Sequence, residues 1–270
     1  MIDGQIDWQS RWCPAPSALS SVLAGVWSVR AGHGEPLSAR VLPDASSCIV
    51  FGRDGAVLRT GGEIGAPWGA ASVAGPRSSP LDITLGAGGQ IFIVQLRRAG
   101  ARALLGVPLS HLTDRFEAAD SVVGRMPSEF MDVILSDADD RSCVGAIEGW
   151  ISRRLRDGPS DTQLATALSN EVAGSIGNLP VEQLAARVGL SRRHLLRIMQ
   201  ERFGVSPKLF GRIVRFDCAV QLGRFRRELS WSEIAHETGY ADQPHMARDF
   251  AALGGIRPSD LRGSGGATLW

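Results

Sequence analysis

Arg192, Arg193 and Arg197 lie within six residues of one another and are the side chains of this chain best placed to do chemistry. A guanidinium forks onto phosphate oxygens or onto the major-groove edge of guanine. Of the 29 basic residues only Lys208 is lysine. Their distribution is uneven. Residues 178–262 hold 14 basic and 9 acidic side chains, a net of +5, while the rest holds 15 and 19, a net of −4. A basic third on an acidic remainder suits a polyanion partner for that third alone.

The other reactive residue types are scattered. Before the arginine cluster there are two histidines, His33 and His111. A cupin-type metal centre gathers two or three histidines and a carboxylate, and His33-Gly34-Glu35 falls short of that. Cys13, Cys48, Cys143 and Cys218 never form a CxxC pair, so they read as buried thiols in a reducing cytoplasm. They also lack the activated cluster of a DNA-repair methyl acceptor. Gly86-Ala87-Gly88-Gly89 has no lysine and no helix after it, so it reads as a hairpin turn and not a phosphate loop. No nucleophile motif is present. These features predict no enzyme, no cofactor and no metal. No run of about 18 apolar residues exists, which argues against a membrane span. The start, MIDGQIDWQS, has neither basic residues nor an apolar core, so it is not read as a secretion signal.

The elements that must position the arginines follow from periodicity. Up to about residue 115, Ser47–Phe51, Ala56–Arg59, Leu81–Leu85, Ile91–Leu96 and Ala101–Leu105 read as strands or short elements. Turn signals such as Arg53-Asp54-Gly55 and Gly61-Gly62 separate them. Trp27, Trp68, Phe51 and Phe92 are core or pocket candidates. Cys143, Ile147, Ile151 and Leu155 fall four apart, the stripe of an amphipathic helix ending at Asp157-Gly158-Pro159. That stripe packs on a domain or on a second copy. Asp161 is placed to cap the next helix, through Leu164, Leu168 and Val172.

The last hundred residues contain a repeat. Leu184-Ala185 and Gly189-Leu190 match Ile234-Ala235 and Gly239-Tyr240 at an offset of 50. One residue is then added, and Ser191, His194, Arg197, Gly204-Val205 and Pro207 match Asp242, His245, Arg248, Gly255-Ile256 and Pro258. Each copy reads as helix, tight turn, helix. Gly189 supplies the positive φ of the turn, and Ser191 caps the second helix. Leu195, Ile198 and Met199 point inward, and Arg192, Arg193, Leu196 and Arg197 outward. In the second copy Met246 and Phe250 are inward, with Gln243, His245, Ala247 and Arg248 outward. Pro244 fits the first helical turn. Between the copies, Pro207 to Arg227 carries apolar residues at helical spacing. As one helix, those 21 residues span about 31 Å, close to the ~34 Å between successive major grooves on one face of DNA.

The run from Leu184-Ala185 through Gly189-Leu190-Ser191-Arg192-Arg193-His194-Leu195, then Phe203-Gly204-Val205-Ser206-Pro207, resembles the AraC/XylS family of bacterial transcription regulators. So does the run from Ile234-Ala235 through Gly239-Tyr240, Asp242-Gln243, His245, Arg248, Phe250 and Pro258. The resemblance covers about residues 160–262. It implies two helix-turn-helix units on a long helix, with Arg193, Leu196 and Arg197 facing bases from the first and Gln243, Ala247 and Arg248 from the second. Met246 replaces an aromatic residue. Pro244 replaces a small polar one, which removes a contact. Trp27-Ser28-Val29-Arg30, Val41-Leu42-Pro43-Asp44, Gly75-Pro76-Arg77 and Ala103-Leu104-Leu105-Gly106-Val107-Pro108 resemble a sensor-type β domain, which implies a cupin-like barrel.

The reading is therefore α+β. A β-rich sensor domain spans 1–120, a helical connector 121–158 and the DNA-binding domain 159–264. Ser191, Arg192, Arg193, His194, Leu196, Arg197, Gln243, His245, Ala247 and Arg248 form the expected DNA-binding set. Double-stranded DNA is the expected partner. A small-molecule effector, RNA polymerase and a second copy of the chain are further candidates, and no membrane is involved. The alternative is a small-molecule binding protein whose helical end serves assembly. The exposure of Arg192, Arg193 and Arg197 separates the two.

Overall fold

A computed structural model describes residues 8–34, 36–53, 58–60, 70–136, 138–156, 162–263 and 268–269. The strands are β1 (Trp8–Pro14), β2 (Leu23–Ala31), β3 (Leu37–Val41), β4 (Cys48–Arg53), β5 (Leu58–Thr60), β6 (Ala71–Ala74), β7 (Leu81–Leu85), β8 (Gln90–Leu96), β9 (Phe116–Ala118) and β10 (Thr268–Leu269). They form a six-stranded sheet, β1-β2-β8-β4-β6-β9, and a four-stranded sheet, β10-β3-β7-β5.

The run Ile91–Leu96 lacks polar alternation because β8 is central and covered on both faces. Ile91 and Ile93 pack with Leu37, Ala39, Ile83 and Leu85 of the small sheet. Phe92, Val94 and Leu96 pack toward helices on the other side. Those helices are α1 (Ala101–Leu105), α2 (Ala119–Val123), α3 (Ser128–Leu135) and α4 (Asp140–Arg156). Cys143, Ile147 and Ile151 of α4 are fully buried there, so the four-residue stripe packs on the β domain. Each of the two isoleucines contributes about 1.5–3 kcal/mol of transfer free energy. Phe130 meets Phe51 edge-on at 5.5 Å and stacks on Trp150 at 5.7 Å. Arg53, only 6% exposed, is hydrogen-bonded by Nε to Gln90 Oε1 (2.7 Å) and by Nη1 to the carbonyls of Ser136 and Ala138. A buried charge persists only with such partners.

Helices α5 (Gln163–Gly174), α6 (Val181–Arg187), α7 (Arg192–Phe203), α8 (Pro207–Phe225), α9 (Trp231–Glu237), α10 (Gln243–Asp249) and α11 (Asp260–Gly263) build the second domain. A π-helical turn, Phe250–Gly254, follows α10. Leu195, Met199, Phe203, Phe210, Phe216, Ile234, Met246 and Phe250 share one core.

Several expectations are corrected. The β domain is two separately hydrogen-bonded sheets and, among the described residues, not a closed barrel. Ala101–Leu105, left open as a strand or short element, is a short helix, terminated by Gly106 at φ 80° with Leu104 and Leu105 buried. The spacer helix stops at Phe225, two residues early, so 19 residues span about 28 Å. Phe51 and Phe92 are fully buried in the core. Thr162, without a side-chain hydrogen bond, stands at the N-cap of α5. Glu35, Asp54-Gly55, Gly61-Gly62, Trp68, Asp157-Gly158-Pro159 and Asp161 lie outside the described residues.

Candidate nucleic-acid interface

The first helix-turn-helix is α6 and α7. Gly189 has φ 69° and Gly239, its equivalent, φ 75°, a region that costs glycine nothing. Ser191 accepts a hydrogen bond from the His194 amide through its side chain, so it caps α7 as its type predicts. Leu195, Ile198 and Met199 are buried, which leaves the opposite face of α7 in solvent. That face carries Ser191, Arg192, Arg193, His194, Leu196 and Arg197. The side chains of Arg192 and Arg197 are 69% and 65% exposed. Leu196 is 40% exposed. An assembly surface would bury apolar groups here; this face presents arginines to water instead.

The three arginines differ in what holds them. Arg192 sits 3.6 Å from Glu182. Arg197 Nη1 donates to Glu201 Oε2 at 3.2 Å, and its Nη2 lies 3.0 Å from His194 Nε2. Arg193 has no partner among the described residues. It is the cation most ready to meet a base or a phosphate.

The second unit is α9 and α10. Ser230 and Glu233 form a capping box at the start of α9, and the Ser230 hydroxyl and amide hold the Glu233 carboxyl below its ordinary range. Asp242 caps α10 by accepting from the His245 amide at 2.6 Å. Gln243 and Arg248 are exposed and Ala247 is half-buried. His245 is half-buried too, edge-on to Tyr240 at 5.2 Å, so packing uses part of its ring. Arg212 of α8 donates to the buried Asp249 carboxylate by Nη2 (2.6 Å) and Nε (3.2 Å), locking the second unit to the spacer helix.

Contacts from the β domain reach this interface, and the sequence reading missed them. Arg98 Nη2 donates to Asp217 Oδ2 of α8 at 2.8 Å. Thr113 Oγ1 donates to the Gly204 carbonyl at 2.7 Å, at the end of α7. Arg102 lies 3.9 Å from the free oxygen of Glu201. Arg40 Nη1 donates to the Gly255 carbonyl at 3.1 Å. Leu42, Ala45 and Ala99 complete the helical core. No local periodicity marks these pairs. Among the described residues no cluster of three metal-ligating side chains is found, and no helix is long and apolar enough to cross a membrane.

Residues 184–264 match a helix-turn-helix domain family over both units. An uncharacterized HTH-type transcriptional regulator of Haemophilus influenzae is 33% identical to the chain over 104 residues. That match spans 38% of this chain and only 35% of the relative. The structure also aligns with a transcriptional regulator from Chromobacterium violaceum with an AraC-type DNA-binding domain, at 25% identity and TM-score 0.35. That alignment covers 37% of this chain and 88% of the other. ToxT from Vibrio cholerae aligns at 11% identity over 94% of this chain and 98% of its own, with TM-score 0.48. Ahead of the helix-turn-helix match, residues 11–117 match a domain of unknown function (DUF6597).

Proposed function

We propose that the chain is a sequence-specific DNA-binding transcription regulator that reads two successive major grooves. The carrying observation is the repeat. Two helix-turn-helix units stand at the ends of one 19-residue helix, and the first shows an unburied arginine face to solvent. The base-facing set is Arg193, Leu196 and Arg197 on α7, with Gln243, Ala247 and Arg248 on α10. Ser191, Arg192, His194 and His245 complete the contact surface. The unit boundaries 1–120, 121–158 and 159–264 describe a β domain, the helices that back it and the reading head. We assign the β domain a controlling role, by small-molecule binding or by pairing two chains. RNA polymerase is the further partner at a promoter. The chain acts in the cytoplasm and catalyses nothing.

Full-length protein is mixed with sheared genomic DNA, and the retained fragments are sequenced. Enrichment of one motif with two half-elements about one helical turn apart is the expected result. Affinity for that motif falls steeply with salt, because phosphate neutralisation releases counterions. Salt-independent retention, or no enriched motif, rejects the reading.

A further inference from the structure

Gly204 and Gly255 are the same position in the two copies of the repeat. Gly204 follows α7, and Gly255 follows the π-helical turn that extends α10. Both are left-handed, at φ 72° and 60°, as a residue that ends a helix often is. Both offer their carbonyl oxygens to the β domain. The Gly204 carbonyl accepts from Thr113 Oγ1 at 2.7 Å, and the Gly255 carbonyl accepts from Arg40 Nη1 at 3.1 Å. The β domain thus holds the two reading heads at one equivalent point each.

Each donor is fixed from behind. Arg40 of β3 forks onto Asp82 of β7, Nε to Oδ1 at 2.6 Å and Nη2 to Oδ2 at 2.8 Å, which leaves Nη1 for Gly255. The backbone of β10, beyond α11, pairs in parallel with β3 at Arg40 itself. Thr113 follows the 3-10 turn Leu109–His111, and Gly204 has no Cβ to hold that turn away. A third grip lies between the heads. Arg98 donates by Nε to the Asp44 carbonyl at 2.5 Å and by Nη2 to Asp217 of α8 at 2.8 Å. Beside it Ala45, 2% exposed, enters the helical core at φ 57°, a backbone that alanine keeps only where its surroundings over-determine it. Asp44 closes that turn by accepting from the Ser46 amide at 2.9 Å.

We propose that the β domain is a splint for the two reading heads, and that Arg40 and Thr113 are positioning residues that set the half-element spacing the chain accepts. The proposal rests on the two-groove reading given above. The common core and the Arg212–Asp249 pair already hold each head against α8. Packed helices still slide past one another by about 1–2 Å. That is a large part of the ~3.4 Å between successive base pairs. A helix is a stiff rod rising about 1.5 Å per residue, so a grip on Gly204 fixes the placing of Arg193 about 16 Å away. Grips on both heads from one pair of sheets remove the remaining slide.

Full-length protein, Arg40→Met/Thr113→Val and Thr113→Ser are compared on the enriched motif with its half-elements moved by one or two base pairs. Anisotropy should give the unaltered chain one sharp optimum, a single added base pair costing about tenfold, the scale of one mismatched pair. The double variant should show a broader or displaced optimum, with base preference inside each half-element unchanged. Thr113→Ser keeps the hydroxyl and should keep the optimum. The same sharp optimum in the double variant, or an equal loss at every spacing, overturns the splint. Near-UV circular dichroism checks each fold, and if the double variant unfolds, Arg40→Met decides alone. A DNA-free measurement runs beside these. Ala186 of α6 and His236 of α9, exposed and equivalent in the repeat, are each replaced by p-acetylphenylalanine carrying an oxime-linked spin label. The distance distribution between the labels should be narrow in the unaltered chain and wider in the double variant. Equal widths overturn the splint whether or not the chain binds DNA. A chain that enriches no motif but shows the widening loses only the two-groove reading, and one that enriches the motif at equal widths loses only the splint.

Discussion

Glu201 holds Arg197 with one carboxylate oxygen, at 3.2 Å, and faces Arg102 of the β domain with the other, at 3.9 Å. One acidic side chain thus connects an arginine of the proposed base-facing set to the domain that would control it. A carboxylate on the reading face also repels phosphate. The Arg197–Glu201 pair is an exposed i,i+4 pair, worth about 0.3–0.5 kcal/mol, so its loss leaves the fold intact. Glu201→Gln is therefore expected to strengthen DNA binding for all sequences. Fluorescence anisotropy across a salt series checks it; unchanged or weaker binding contradicts the arrangement.

The reading heads are expected to contribute unequally. Arg193 is unpartnered and sits on a 12-residue helix, whereas α10 has seven residues and its Pro244 and Ala247 offer no side-chain hydrogen bond. Arg193→Ala should relax base preference and cost about 1–3 kcal/mol if that arginine reads guanine. Gln243→Ala should cost less. Arg248→Ala should weaken all sequences alike and lower the salt slope by about one, as a phosphate contact does. Competition over every single-base variant of the operator measures all three. A flattened profile for Gln243→Ala beside an unchanged one for Arg193→Ala reverses the assignment.

Gly204 ends α7 at φ 72°, and a Cβ there would lie 2.6 Å from Thr113 Oγ1 and 2.9 Å from the Leu109 carbonyl oxygen. Gly204→Ala is expected to cost about 1 kcal/mol for the left-handed backbone alone, with the clash added. Both terms act where the β domain grips the first helix-turn-helix. Denaturant unfolding should show a lower midpoint. Thr113→Gly/Gly204→Ala should recover part of the loss, and no recovery would mean that the contact does not matter.

Desolvation raises the Cys48 thiol and gives it a pH signature. Between its ordinary 9.0 and about 12 the folded chain keeps a proton that the unfolded chain releases. Stability therefore falls as pH climbs through that window. Cys48→Ala should flatten the alkaline arm of a stability–pH curve measured from pH 8 to 11. At pH 8 the native thiol should resist iodoacetamide, since the thiolate is the reactive form. Rapid alkylation of Cys48, read by mass spectrometry, would contradict the raised thiol.

The sequence alone determined what depends on neighbours a few residues away. Gly189 and Gly239 announce their turns, Ser191 its cap, and the alternation of Leu195, Ile198 and Met199 with Arg193 and Arg197 the two faces of α7. The repeat made the second unit legible from the first. The apolar run Ile91–Val94 marked a strand; that both its faces are covered came from the packing of β8 between the small sheet and the helices. Tertiary structure decided the rest. Ala101–Leu105 became a helix because burial of Leu104 and Leu105 outweighed a weak local pattern. Two sheets formed instead of a barrel because their hydrogen-bond ladders stay separate, a matter of strand order that periodicity does not encode. Arg98 with Asp217 and Arg102 with Glu201 join residues about a hundred positions apart. Arg77 carried no signal beyond its Gly-Pro-Arg setting. Its half-burial beside an apolar space exists only once two sheets have packed, since desolvation is a property of the assembled surface and not of the residue.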